Sequence, residues 1–196
     1  MEALYDALEA RLAGRPARAV SLPGVVLRES AVLVPLVTRR GLPHLVLTRR
    51  PTTLRHHAGQ YAFPGGTRDA ADATPLHTAL RELDEELGVS ADAVRVLGLL
   101  DEAPTLTGFR IQPFVGVLSP LVPYRPSPEE VDLVLEVPLR ELTDPALRRT
   151  ERRAALGTEL DVDFYTWGEH VIWGASARIL RMLLGLLEGL PGLEGG

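Results

Sequence analysis

Leucines recur at a helical spacing between Thr74 and Gly88, and this pattern constrains the fold more than any other feature of the chain. At about 100° per residue they fall on one narrow stripe, which must face a core. The leucines are Leu76, Leu80, Leu83 and Leu87. Thr74 suits an N-cap, Pro75 the first helical position and Gly88 the residue after the last turn. The sequence therefore predicts a helix over residues 75–87 with one buried side.

The other side of this helix carries three glutamates and an arginine. Glu82 and Glu86 are four residues apart and point together, with Glu85 next to them and Arg81 placed to pair with Glu85. Like charges at this spacing cost roughly a few tenths of a kcal/mol per pair unless a cation shares them. Magnesium favours such oxygen ligands together with substrate phosphate. The acidic side of this helix therefore has two interpretations: a metal site for a polyphosphate, or an ordinary acidic surface exposed to solvent.

Two glycines just ahead of the helix favour the metal site. Glycine lets the backbone approach a phosphate or a metal closely, and the Gly66 carbonyl is a further candidate ligand beside Gly65. These glycines end a stretch, residues 50–67, that is predicted to be irregular. A loop of this length inside a compact domain is usually functional.

Other periodic segments predict strands interleaved with helices. Helices are predicted over residues 2–13 and 172–188, and strands over residues 30–37, 45–48, 94–101, 110–118, 131–137 and 162–166. No repeat or linker divides the chain, so residues 1–196 are expected to form one domain with a frayed tail at 189–196. This order predicts an α/β fold in which helices cover both faces of a mixed sheet.

Composition excludes several classes of function. The chain has no cysteine, which rules out disulfides and thiolate metal sites. Its net charge of −5 argues against a nucleic-acid binder. The first residues lack a signal-peptide pattern, and charged residues interrupt the most apolar stretch, 171–190. We therefore expect a cytoplasmic protein without membrane or nucleic-acid partners, as a monomer or a homodimer. All 21 Lys and Arg positions are arginine, so a basic side chain that contacts an anion is a guanidinium.

The sequence around the helix resembles the Nudix box. From Arg81 to Val89 it reads Arg-Glu-Leu-Asp-Glu-Glu-Leu-Gly-Val and matches every specified position of the family pattern. Upstream, Gly66 matches, but Asp72 stands where glutamate is usual, and the spacing to Arg81 is one residue longer. The resemblance implies an α/β/α sandwich with a mixed β-sheet, and hydrolysis of a pyrophosphate bond by water with Mg²⁺ or Mn²⁺. It also implies specific roles: Arg81 orients the glutamates, Asp72 braces Arg81, and the metal ligands are Glu82, Glu85, Glu86 and Gly66.

The stretch ahead of the box resembles the accessory motif of Nudix coenzyme A pyrophosphatases. It runs from Leu47 to Gly66 and ends in Phe-Pro-Gly-Gly, although Val46 and Pro51 depart from the motif. The resemblance implies coenzyme A or an acyl-coenzyme A as the small-molecule substrate, cleaved to 3′,5′-ADP and (acyl-)4′-phosphopantetheine. The substrate-binding candidates are Arg49, Arg50, Arg55, Gly59, Phe63 and Gly65. Guanidinium forks suit the pyrophosphate and the 3′-phosphate of such a substrate.

Two alternatives to this function stay open. One is a Nudix hydrolase of another nucleoside diphosphate derivative, such as an oxidised nucleotide, NADH or ADP-ribose. The other is a Nudix module that senses a nucleotide without turnover.

The catalytic base is also open at the level of the sequence. Glu85 is the first candidate, Glu129 and Glu130 on a later predicted loop follow, and Glu102 is a third possibility. Four aromatic and imidazole side chains receive structural interpretations: His56 and His57 as incidental loop residues, Trp167 and Trp173 as core or cap residues.

Overall fold

The molecule is a mixed β-sheet with helices on both faces and a second, smaller sheet at one side. The computed structural model describes residues 1–21, 26–53, 57–105, 107–155 and 158–193. Its helices are α1 (Glu2–Ala13), α2 (Pro75–Leu87), α3 (Leu139–Leu142) and α4 (Ala175–Leu187). Its strands are β1 (Arg28–Arg39), β2 (Leu42–Arg49), β3 (Tyr61–Ala62), β4 (Gly65–Thr67), β5 (Val94–Leu99), β6 (Ala103–Pro104), β7 (Phe109–Leu118), β8 (Leu133–Pro138), β9 (Arg148–Ala155), β10 (Thr158–Trp167) and β11 (His170–Trp173).

Strand β1 organises the large sheet. Along one edge it pairs in parallel with β7, from Arg28 opposite Phe109 to Leu36 opposite Val117. Along its other edge, the first half pairs with β4 and the second half with β2. The strand order is β3-β2-β1-β7-β5, with β8 beside β2 and β6 beside β7. The short glycine strand β4 therefore lies against the middle of the sheet.

Apolar side chains of β1 alternate between two cores, as the period of a strand requires. Leu33 and Val37 pack with the buried side of α2, whereas Val34 and Leu36 pack with α1 and α4. The predicted α/β arrangement with helices on both faces is confirmed. The bounds of α1 and α2 agree with the predicted helices 2–13 and 75–87.

Three antiparallel strands, β9, β10 and β11, form the second sheet, most of which the sequence did not predict. Only residues 162–166 were expected to be extended. Strand β9 alternates arginine and glutamate (Arg149, Glu151, Arg153) instead of apolar and polar residues, so it lacks the usual signal of a half-buried strand.

Two further boundaries differ from the predicted ones. Residues 50–67 are not wholly irregular, because they contain β3 and β4. The last helix begins at Ala175 and not at residue 172, because Gly174 adopts φ 67° and separates the helix from β11. No helix in the described part of the chain is long and apolar enough to cross a membrane.

Candidate active site

Helix α2 is held in one orientation at both ends. The Thr74 hydroxyl accepts a hydrogen bond from the His77 N–H at 3.3 Å, and Gly88 closes the helix with φ 64°. Leu83 and Leu87 are fully buried, while Leu76 and Leu80 pack at the edge of the same core. These contacts direct the acidic side of α2 towards β4.

The glycine strand and two glutamates of α2 are in direct contact. The Glu86 carboxylate accepts hydrogen bonds from the Gly65 N–H at 3.2 Å and from the Thr48 hydroxyl at 3.3 Å. A Cβ added at Gly66 would overlap the Glu82 carboxylate, and one added at Gly65 would overlap the backbone of β1. Glycine at position 65 thus lets β4 pair closely with β1, and glycine at position 66 leaves room for the Glu82 carboxylate beside the strand.

Burial perturbs both of these carboxylates. Glu86 is only 6% exposed, and burial raises its pKa to about 7 against the opposing hydrogen bond from Gly65. Burial also raises the pKa of Glu82, although the guanidinium of Arg81 opposes that rise. Ionised carboxylates are disfavoured in such surroundings unless a positive charge joins them.

Arg81 links the acidic groups around the helix. Its Nε and Nη2 donate to the two oxygens of Asp72 at 3.1 Å each, and its Nη1 lies 3.0 Å from Glu82 and 2.8 Å from Glu85. Asp72 is buried, and the Arg81 guanidinium is the main cause of its lowered pKa. The aspartate also accepts from the Thr78 hydroxyl at 2.9 Å. Arg81 is therefore fixed from behind by Asp72 and in turn holds the glutamates.

Candidate bases occupy three different environments. Glu85 is exposed and bonded to Arg81. Glu130 lies on the exposed loop after β7. Its negative charge is near enough to raise the pKa of Glu82 and Glu86, in addition to the larger effect of their burial. That loop is tied to the end of α2, since the Ser127 N–H donates to the Glu86 carbonyl at 3.0 Å. Glu129 is exposed on the same loop.

The third candidate base, Glu102, is engaged elsewhere. Its carboxylate accepts from the Val20 N–H at 2.8 Å and lies 3.9 Å from the Arg110 guanidinium. These contacts give it a structural role in joining the segment after α1 to the sheet.

The predicted substrate-binding residues surround the end of β2. Arg49 pairs with Asp132, with Nε 2.7 Å from a carboxylate oxygen. The N–H of Gly59 donates to the Arg50 carbonyl at 3.0 Å, and Gly59 itself adopts φ 68°, as a tight turn requires. Phe63 is buried at the start of the glycine strand. Arg55 and His56 lie outside the described residues.

Two clefts adjoin this region, and Trp173 lines both of them. The apolar cleft, about 480 Å³, lies between α4 and strands β1 and β7 and includes Val32, Arg50, Gly66, Ile111, Trp173 and Ile179 in its lining. The arginine cleft, about 640 Å³, lies over the second sheet and includes Arg49, Tyr61, Arg153, Phe164, His170 and Trp173. Gly65 and Gly66 have the apolar cleft on one side and the two glutamates on the other.

Comparison with known proteins decides the family. The model of the NUDIX domain matches residues 27–155, which include both the glycine strand and the acidic helix. The chain belongs to the Nudix family. Similar proteins include the uncharacterised Nudix hydrolases NudL of Cronobacter sakazakii and Salmonella newport, each 42% identical over 167 residues that cover 80% of this chain and 81% of the relative. The protein is thus a Nudix hydrolase, which acts on a pyrophosphate bond.

Solved structures agree with this Nudix fold. The Nudix hydrolase RenU of M. smegmatis has a TM-score of 0.51 at 20% identity, covering 63% of this chain and 84% of that chain. A MutT/nudix family protein from Enterococcus faecalis has a TM-score of 0.52 at 14% identity, covering 83% of this chain and 63% of that chain. At such identities the similarity extends to the fold alone.

Nudix hydrolases act on small-molecule nucleotide substrates with divalent metal ions, and the donors present here fit such an ion. Glu82 and Glu86 offer carboxylate oxygens from adjacent turns of one helix. Hard cations such as Mg²⁺ prefer oxygen ligands. Over the described residues, no arginine or histidine pairs with Glu86. Likewise no three Asp, Glu or His side chains in that part of the chain are close enough to share one ion. Glu85 therefore lies apart from the pair in this structure, and its role as a ligand stays a prediction.

Three residues near the candidate site were not predicted to belong to it. Thr48 bonds Glu86 from β2, and only its place inside the accessory motif at the end of a predicted strand could have indicated it. Trp173, interpreted as a core or cap residue, is half-buried and stacks on Phe164 between the two clefts. His57 lines the apolar cleft and contacts Gln60 at 2.8 Å.

Proposed function

We propose that this Nudix hydrolase cleaves the pyrophosphate bond of coenzyme A or an acyl-coenzyme A, releasing 3′,5′-ADP and (acyl-)4′-phosphopantetheine. The observation that carries the proposal is the position of Arg50 on the apolar cleft together with Gly65 and Gly66. The buried Nε of Arg50 has no hydrogen-bond partner among the described residues. A buried guanidinium donor of this kind favours an anionic ligand, because an unsatisfied buried donor is costly.

A second arginine supports coenzyme A over substrates whose only phosphates are those of the pyrophosphate. Coenzyme A carries a 3′-phosphate in addition to its pyrophosphate, so its site needs a second anion contact. Arg49 is the last residue of β2, directly before Arg50, and lines the neighbouring arginine cleft. Its ion pair with Asp132 is partly exposed, and such pairs are weak enough to rearrange when a phosphate binds.

The roles of the acidic residues follow from their contacts. Glu82 and Glu86 would hold a Mg²⁺ or Mn²⁺ ion, which when bound neutralises charge on the pyrophosphate and lowers the pKa of a water molecule. Arg81 holds Glu82 at 3.0 Å and is itself fixed by Asp72. Glu85 and Glu130 are the base candidates, because both are exposed beside the glutamate pair and can receive a proton from water.

Product analysis tests the reaction. The purified protein is incubated with coenzyme A and Mg²⁺ or Mn²⁺, and the nucleotides are separated by chromatography. We expect 3′,5′-ADP as the nucleotide product. Arg50→Gln is expected to raise KM for coenzyme A by roughly tenfold or more because a charge-assisted contact is lost, whereas Arg140→Gln, exposed on α3, serves as the matched control.

A substrate series tests the specificity. Dephospho-coenzyme A lacks only the 3′-phosphate, so it should be cleaved with a lower kcat/KM than coenzyme A. Equal cleavage of the two, or faster cleavage of NADH, ADP-ribose or an oxidised nucleotide, would reject coenzyme A as the substrate. Tight binding of all these compounds without any product would support a nucleotide sensor instead.

A further inference from the structure

We infer that Trp173 divides the substrate between the two clefts: the (acyl-)phosphopantetheine arm occupies the apolar cleft, and the 3′-phosphorylated nucleoside occupies the arginine cleft. This assignment rests on the proposed function and names the residues that select the substrate. It follows from the different chemistry of the two clefts and from the position of Trp173 in the lining of both.

The apolar cleft suits an uncharged, extended arm. Its wall is mainly apolar, with side chains contributed by α4, the large sheet and β10. Ile111 of the large sheet and Ile179 of α4 line the cleft, and Ser176 adds a hydroxyl group to the lining. Burial of an alkyl chain against such a wall is favourable in proportion to the apolar area removed from water. An acyl group on the arm should therefore strengthen binding.

The arginine cleft suits a phosphorylated nucleoside. Phe164 and Trp173 are nearly parallel, with ring centroids 6.1 Å apart and an interplanar angle of 11°. The guanidinium of Arg153 lies 5.1 Å from the Phe164 ring centroid and 5.8 Å from that of Trp173. Aromatic rings and guanidinium planes are the surfaces on which bases stack. Arg49 adds a second positive charge in the same cleft.

The charges of the substrate favour this orientation over the reverse one. Arg153 is bonded at 2.9 Å to Glu151, but both side chains are exposed, so the pair contributes little and can open for a phosphate. The apolar cleft also has two arginines in its lining, Arg50 and Arg178, and Arg50 is assigned to the pyrophosphate. In the reverse orientation the 3′-phosphate would depend on Arg178 alone, while the alkyl arm would lie beside Arg49 and Arg153 of the arginine cleft at a cost in desolvation.

The pyrophosphate then lies where the two clefts meet the glycine strand. Gln60, Tyr61 and Trp173 line both clefts, and Gly65 and Gly66 line the apolar cleft beside them. A substrate that spans Trp173 therefore passes the glycines with its central phosphates, close to the two glutamates.

A substitution that fills the apolar cleft tests this assignment. Ala175 is half-exposed in the first turn of α4 and lines the apolar cleft. Kinetic constants for Ala175→Phe are measured with coenzyme A, hexanoyl-coenzyme A and decanoyl-coenzyme A, and the inhibition constant of 3′,5′-ADP is measured beside them. We expect the ratio of KM for the decanoyl substrate to KM for coenzyme A to rise by roughly tenfold, with no change in inhibition by 3′,5′-ADP.

Two further variants complete the test. Gly185→Phe adds the same ring to the exposed side of α4, where a Cβ meets no atom within 4 Å, and should change none of these constants. Arg153→Gln should weaken inhibition by 3′,5′-ADP and leave the dependence on acyl length unchanged. If Ala175→Phe does not fold, Ile111→Ala enlarges the same cleft and should shift the preference towards longer acyl chains.

The outcomes separate this inference from the proposed function. Cleavage of all forms of coenzyme A with no dependence on acyl length in any variant would reject the assignment of the arm alone. Weaker inhibition by 3′,5′-ADP in Ala175→Phe but not in Arg153→Gln would reverse the orientation. Failure to cleave any form of coenzyme A would reject the proposed function and this inference with it.

Discussion

Replacing Glu86 with glutamine is expected to stabilise the metal-free protein above neutral pH. Burial raises the pKa of Glu86 from its ordinary value of 4.5 to about 7, so the folded state favours the protonated side chain. The stability that the protonated Glu86 side chain contributes is fully present below pH 4.5 and is lost as the pH rises through about 7. Near pH 8 the ionised side chain then costs on the order of 3 kcal/mol, and near pH 5 under about 1 kcal/mol.

The contacts of Glu86 can accommodate the amide. In Glu86→Gln, the side-chain carbonyl oxygen would accept from the Gly65 N–H, and the side-chain NH₂ group would donate to the Thr48 hydroxyl oxygen. The Thr48 hydroxyl would then donate its own hydrogen to the Ala62 carbonyl. Glu86→Gln should therefore recover most of the cost that ionisation imposes, with the largest gain near pH 8.

The assay is urea unfolding in the presence of a chelator, at pH values from about 5 to about 8, for the wild type, Glu86→Gln and the control Glu85→Gln. The control neutralises an exposed neighbour on the same helix and should show only a small difference from the wild type. Adding Mg²⁺ near pH 8 should stabilise the wild type and leave Glu86→Gln unchanged. An equal difference at both ends of the pH range, or a loss of stability near pH 8, would refute the reasoning.

Three further substitutions test the surroundings of the glutamate pair. Glu82→Gln should lower kcat by roughly a hundredfold or more without unfolding the protein, and Asp84→Asn, exposed on the same helix, is the kinetic comparison. Gly66→Ala should abolish metal-dependent activity, because its Cβ overlaps the Glu82 carboxylate; Gly185→Ala, in open space on α4, should instead stabilise the protein by about 0.5–1 kcal/mol in thermal unfolding. Asp72→Asn should lower the free energy of unfolding by about 2 kcal/mol in urea near neutral pH. Because the pKa of Asp72 is lowered, that loss should shrink as the solution becomes acidic.

The acidic helix was the most predictable part of the molecule, because its signals are local. Thr74, Pro75 and Gly88 mark its two ends, and the leucine spacing marks its buried side. The pairing of Arg81 with Glu85 also follows from a separation of four residues. Such features depend on one segment of chain and need no knowledge of its neighbours.

The parts that the sequence did not predict depend on partners distant in the chain. Strand β4 is two glycines and a threonine, and it is extended because β1 offers it an edge. Strand β9 consists mostly of charged residues, and two of its arginines, Arg149 and Arg153, lie over the Phe164 ring of the next strand. The proximity of Glu130 to the glutamate pair depends on a loop whose backbone is bonded to the end of α2. None of these contacts leaves a periodic pattern in the sequence.

The glycine strand β4 is a single layer of backbone between two parts of the candidate site. Glu82 and Glu86 contact it from one side, and the apolar cleft begins at its other side. Because neither glycine has a side chain, the proposed substrate-binding residues and the proposed metal ligands approach the same strand from opposite sides without competing for space. Under the proposed function, we therefore expect mutations that remodel the apolar cleft to alter substrate preference while the metal ligands stay in place, a separation that would let new specificities evolve in this fold.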